Sequence, residues 1–112
     1  MIRLTCYIRP HQLEDVKTAL AELPISGLSV TDARGCGNSP EVAKTIAGQE
    51  MLIPLPVRSK VVVVAPAELQ EELIEAVINS AQTGEPGDGK LFVERVERAI
   101  RIRTGEENEL AV

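Results

Sequence analysis

Two glycines flanking an acid and followed by a lysine, Gly87-Asp88-Gly89-Lys90, and two arginines one residue apart further on, Arg101-Ile102-Arg103, are residue types suited to holding a polyphosphate. Glycine has no Cβ to keep backbone N–H groups away from phosphate oxygens, and its access to positive φ lets successive N–H groups form an anion-binding nest. Lys90 supplies a point charge, and the arginines supply planar forks that bind oxygens in pairs. If residues 100–103 form a strand, Arg101 and Arg103 share one face while Ile100 and Ile102 point into the protein, so both forks can reach one anion. Taken singly, Gly-Asp-Gly reads as a tight turn and Arg-Ile-Arg as a solvated strand face. Their joint occurrence in so short a chain carries the inference of a phosphate-binding loop at 82–90 served by a C-terminal segment at 101–112.

With 112 residues the chain is expected to form a single domain, 1–112, with a real core. A net charge of -5 and only two aromatic residues, Tyr7 and Phe92, argue against nucleic acid as a partner. Neither a basic field for a phosphate backbone nor a platform for stacking bases is present. No apolar run is long enough to cross a bilayer, and the N-terminus runs directly into an alternating strand, so a cytoplasmic location without membrane insertion is expected. Cys6 and Cys36 form no CxxC pair and are expected to be free thiols. His11 follows Pro10 with no second His and no Cys at ligand spacing, so it reads as solvated or structural and no metal site is expected.

The elements that must position these groups follow from periodicity. Ile2, Leu4, Cys6 and Ile8 alternate with Arg3, Thr5, Tyr7 and Arg9, a half-buried strand ended by Pro10. Leu13, Val16, Leu20 and Leu23 recur at helical spacing, with Glu14 and Asp15 near the start and Pro24 beyond the end. Residues 28–34 form a second strand. Pro40, Pro54 and Pro56, with Gly35, Gly37 and Gly48, then mark a connection far longer than the usual few residues. Val57–Ala65 is a strand, Leu69, Leu73, Ile74, Val77 and Ile78 form a helical stripe, and 91–96 and 100–103 read as closing strands. Two βαβ halves predict an α+β, ferredoxin-like sandwich with both helices on one face of an antiparallel sheet. The run Val61 to Val64 is then apolar on both faces, and self-association is the simplest cover for the face without helices.

The chain resembles the PII signal-transduction family. The resemblance is carried by Tyr7-Ile8-Arg9-Pro10, Gly27-Leu28-Ser29-Val30-Thr31, Arg34-Gly35-Cys36-Gly37, Ala81-Gln82-Thr83-Gly84, Gly87-Asp88-Gly89-Lys90-Leu91-Phe92-Val93 and Ile100-Arg101-Ile102-Arg103-Thr104-Gly105-Glu106, spread over the whole chain. It implies a homotrimer with clefts between neighbouring subunits that bind ATP or ADP, and it makes 36–56 the family's T-loop, which touches partner proteins, often transporters and regulatory enzymes. Carried over by position, Gly87, Asp88, Gly89 and Lys90 line the phosphates from one subunit, and Arg101 and Arg103 reach across the cleft. Ser29, Gly37 and Val64 surround the nucleoside, and Gly35, Asn38 and Ile102 also fall against the nucleotide.

Departures from the family pattern concentrate in the long loop. Where the family normally has a Gln that helps to hold Mg²⁺ and 2-oxoglutarate, this chain has Ser39, which lacks an amide carbonyl for a hard cation. Asn38-Ser39-Pro40-Glu41 stands in place of a basic Arg-Gln-Lys-Gly, Arg58 in place of the Lys that contacts the 2-oxoacid, and Cys36 in place of a Phe. Arg58 and Ser39 are therefore the effector-binding candidates, and Arg58 could still pair with a carboxylate. The tyrosine that many members modify corresponds to Met51, and a serine that some phosphorylate corresponds to Gln49.

Two functional classes stay open. The first is a non-catalytic sensor in which ATP or ADP between subunits sets the conformation of 36–56, with a weakened response to 2-oxoglutarate and an open requirement for Mg²⁺. The second is a slow ATPase using the same cleft, which would need a positioned base and a held Mg²⁺ near the γ-phosphate. A metal-handling trimer of the same fold is a further alternative, and it lacks His and Cys ligands. No residue is assigned a catalytic role.

Overall fold

The alternation of the N-terminal strand is what organises the domain. In a computed structural model, which describes residues 1–35, 41–46, 49–53 and 55–112, strand β1 (Ile2–Ile8) buries Ile2, Leu4, Cys6 and Ile8 on one face. It lies between β5 (Val57–Ala65) and β6 (Lys90–Arg95), both antiparallel to it, and β2 (Ser29–Arg34) pairs with the far side of β5. The order β2-β5-β1-β6 is the expected ferredoxin-like sheet.

Both helices cover the face that carries those four residues. Helix α1 (Leu13–Ala21) follows a short 3₁₀ turn at Pro10–Gln12, where a proline costs no hydrogen bond, and it places Glu14 and Asp15 at the positive end of its dipole. Helix α2 (Gln70–Ala81) does the same with Glu71 and Glu72. Val16, Leu20, Leu73, Val77 and Ala81 lock against the sheet, with Val61, Val63 and Ala65 of β5, into one core. Cys6 lies within this core as a free thiol whose pKa burial pushes up to about 11, so it is an inert packing residue. His11 is exposed on the 3₁₀ turn.

The opposite face has no helix. Val62 and Val64 are only half-buried there, and Phe92 is 51% exposed with Tyr7 edge-on to it at 6.4 Å between ring centroids. Lys60 Nζ sits 5.9 Å from the Tyr7 ring centroid, and Arg3 and Glu94 pair at 3.2 Å. The valine run of β5 thus divides as expected, Val61 and Val63 inward and Val62 and Val64 toward the uncovered side.

Two expectations need correction. Residues 100–103 are not a strand but lead into a turn, so alternation does not apply, and Ile102 is 100% exposed instead of pointing inward. A single isolated bridge, Ile100 to Glu107, marks this segment. The long connection also contains structure of its own. Strands β3 (Glu41–Ile46) and β4 (Gln49–Ile53) pair antiparallel into a ribbon separate from the main sheet, which the prolines and glycines around them had masked.

The turn into β6 is constrained by backbone contact. Gly89 has φ +101, and a Cβ at this position would lie 1.7 Å from the Tyr7 carbonyl oxygen. Gly89→Ala must displace β1 or unfold the turn, and we expect it to cost more than about 2 kcal/mol. Urea unfolding measures this directly, and a loss within about 0.5 kcal/mol, the range of ordinary surface substitutions, would show that the turn and β1 are not in contact.

Candidate phosphate-binding site

The loop leaving α2 is held together by a carboxylate turned inward. Asp88 Oδ2 accepts the N–H groups of Thr83 and Gly84, each at 2.8 Å, and Oδ1 accepts the Thr83 hydroxyl at 2.5 Å and the Arg9 guanidinium. The other Arg9 terminal nitrogen donates to the Pro86 carbonyl at 2.7 Å, and the Glu85 N–H donates to Thr83 Oγ1 at 3.2 Å. Donors of this number stabilise the ionised form, so the Asp88 carboxyl is held well below the usual carboxylate range, the Thr83 hydroxyl being the largest cause. Gly84, Gly87 and Gly89 all take positive φ, which is the conformation expected of the two glycines flanking Asp88. The Asp88 side chain, however, completes the loop from inside, and the Thr83 and Gly84 amides are spent on it. The Lys90 side chain, by contrast, is exposed.

Positive charge gathers around this loop because of strand register. Tyr7 pairs with both Lys60 and Lys90, and Ile8 pairs with Ser59, so Arg9 continues β1 beside Arg58. Burial first, and the charge of Arg9 second, lower the pKa of Arg58, whose Nη1 donates to its neighbour's carbonyl at Val57, 2.9 Å away. Arg34 reaches the Leu55 carbonyl at 3.3 Å, and the Gly35 N–H donates to Pro56 at 3.2 Å, where the ribbon joins the sheet. Next to the loop lies a cleft of about 190 Å³ lined by Tyr7, Ile78, Gln82, Asp88, Gly89 and Lys90 among others. Small-molecule sites commonly enclose roughly 300–1,000 Å³, so the cleft of this one subunit is smaller than such a site.

The remaining candidates stand elsewhere. Ser29 is exposed and pairs with Val62, and half-buried Val64 pairs with Arg3, four residues or roughly 13 Å along β5 from Lys60. The chain leaves β6 at that same far end, where Arg95 faces Ile2. It then forms a small hairpin in which the Arg101 N–H donates to Glu106 at 2.8 Å and the Gly105 N–H to Arg101 at 2.7 Å. The Arg101 guanidinium lies 3.3 Å from the Glu106 carboxylate, Arg98 pairs with Glu107, and Arg103 is exposed. Cys36, Gly37, Asn38 and Ser39 lie outside the described residues. One end of the sheet therefore holds Gly35, Arg58 and Gly87–Lys90, and the other holds Val64 and the root of the C-terminal segment.

Arg9 and Thr83 were not singled out from sequence, yet they build the loop. The available signal was an Asp five residues after a Thr in a glycine-rich turn, a spacing that lets both side chains bond the local backbone. Among the described residues no helix is long and apolar enough to cross a membrane, and no group of three or more His, Cys, Asp or Glu could hold a metal ion.

Residues 1–106 match the model of a family described as nitrogen regulatory protein P-II. The Haemophilus influenzae nitrogen regulatory protein P-II is 46% identical over 112 residues, with both chains covered in full. The Escherichia coli nitrogen regulatory protein P-II 1 is 38% identical over the same full length. The solved structure of B. subtilis GlnK superimposes with a TM-score of 0.80 at 28% identity, covering 99% of this chain and 97% of that one.

The inward carboxylate makes the loop sensitive to acid. Because the folded pKa of Asp88 is depressed, its contribution to stability is fully present above the unfolded value, near 4, and is lost as pH falls below that toward the folded value. Asp88→Asn is expected to be less stable than the parent at neutral pH, with the gap narrowing below about pH 4. Urea midpoints of both proteins across that range provide the check, and a gap independent of pH would contradict the ionised clasp.

Proposed function

Because the chain belongs to the nitrogen regulatory protein P-II family, and is a signal-transduction regulator rather than an enzyme, we propose that it binds ATP or ADP between subunits of a homotrimer and controls a partner protein through residues 36–56. The observation that carries this reading is the division of the candidate residues between opposite ends of one sheet. Gly87–Lys90 with Gly35 stand at one end, while Val64 and the segment bearing Arg101, Ile102 and Arg103 belong to the other, so a second copy is the natural way to bring them to one ligand. The uncovered face, with Phe92 exposed and Val62 and Val64 only half-buried, supports assembly through the same sheet. Ser29, Gly37 and Asn38 complete the surroundings of the nucleoside in this reading.

The ATPase alternative is disfavoured by a specific contact. Its best candidate base, Asp88, already accepts from Thr83, Gly84 and Arg9 and is strongly acidic, so it is poorly suited to take a proton from water. We favour a sensor of the ATP to ADP ratio, or of a small anion near Arg58, located in the cytoplasm and acting on a membrane transporter. Ser39 in place of the family's glutamine supports a weakened 2-oxoglutarate response.

Calorimetry with ATP and ADP tests the nucleotide site. Lys90→Ala and Arg103→Ala each remove a charge-assisted partner of about 1.5–3 kcal/mol, a loss of roughly ten- to a hundredfold in affinity. Unchanged affinity in both variants would displace the site, and light scattering from a monomer would remove its architecture. For the loop, 2-oxoglutarate is expected not to bind tightly to the parent with Mg-ATP, and to gain affinity in Ser39→Gln. Tight, Mg-dependent binding by the parent would contradict this.

A further inference from the structure

Resting on the nucleotide reading above, we propose that Arg9 is the residue that positions the 83–89 loop, its guanidinium fork tying the end of β1 to the Asp88 carboxylate and the Pro86 carbonyl together. The bonds from Thr83 and Gly84 to Asp88 close a ring that is local in sequence and would hold its shape wherever the loop lay. Besides the close approach of Gly89 to Tyr7, Arg9 is the side chain that bonds that ring to the end of β1, across 79 residues to Asp88 and 77 to Pro86. Two terminal nitrogens on two acceptors fix orientation as well as distance, which a single ammonium cannot do.

The setting favours a contact of real strength. The Arg9 and Asp88 side chains are only 19% and 22% exposed, so the pair is better shielded than an ordinary surface ion pair. Asp88 also offsets the repulsion between Arg9 and Arg58, which strand register sets side by side. A loop with three glycines at positive φ has much conformational freedom to lose on binding, and fixing it beforehand lowers that cost. Because both ends of its fork are engaged within the protein, Arg9 acts on a phosphate through the loop and not by touching it.

The test uses the full chain and two readouts on Arg9→Ala, Arg9→Lys, Asp88→Asn and the Arg9→Ala/Asp88→Asn double variant. Without ligand, amide hydrogen exchange at Thr83 and Gly84 is expected to quicken about tenfold or more in Arg9→Ala as local opening becomes easier, and less in Arg9→Lys. With ATP, affinity is expected to fall about tenfold in Arg9→Ala, but by no more than about twofold when Asp88→Asn is already present. Unchanged exchange at these amides would overturn the proposal. So would equal affinity losses in both backgrounds, the signature of a charge acting directly on phosphate. If the parent binds no ATP, the nucleotide reading fails, and exchange alone decides the positioning role of Arg9.

Discussion

The placement of β1 between β5 and β6 is the constraint on which the rest depends. A central strand with Ile2, Leu4, Cys6 and Ile8 buried against two helices cannot slip by one residue without turning all four toward solvent. That register puts Lys60 and Lys90 on either side of Tyr7, and Arg9 beside Arg58. Basic residues scattered through the sequence thus meet at one end of the sheet through apolar packing that has nothing to do with charge. The chain carries a net charge of -5, and this local clustering of basic residues is a product of topology rather than of composition.

Beside these residues the loop after α2 is shaped by competition for donors. Asp88 satisfies amides that would otherwise point at any anion, and Arg9 satisfies Asp88. The result is a rigid turn whose inner polar groups are already paired, with Lys90 turned outward. Under the function proposed above, such a turn would meet its ligand with a small, predetermined set of groups, which suits binding with little reorganisation better than proton transfer.

Much of this was legible from residue order, and the parts that were not have identifiable causes. The period-2 pattern of 2–8 and the helical stripes at 13–20 and 69–78 announced the sandwich because burial on one face leaves a periodic mark. The conformations of Gly87 and Gly89 were legible from residue type, since positive φ is inexpensive only for glycine. Residues 100–103 misled because an apolar–basic alternation is the same in a strand and in a turn, and Gly105 and Asn108, both at positive φ, favour the turn. The ribbon strands were hidden because each pairs with the other and not with the main sheet, amid prolines and glycines that read as loop. Arg9 was invisible as a site residue because its partner lies 79 positions away, a distance that no local spacing encodes.

The ribbon's attachment has a consequence for how such a protein can change over time. It meets the sheet at Gly35 with Pro56 and at Arg34 with Leu55, at and just beyond the last pair of β2 and β5, while the core is built from β1, β5 and the two helices with the inner side of β6. Strands β3 and β4 pair with each other and not with the main sheet, so a change in their pairing leaves the central ladder intact, whereas one methyl group at Gly89 collides with the backbone of β1. Selection on stability therefore presses on the turn into β6 more than on the pairing of the ribbon, although both stand at the same end of the sheet. A new partner or effector could thus be acquired by mutation in the ribbon while the central sheet stays paired.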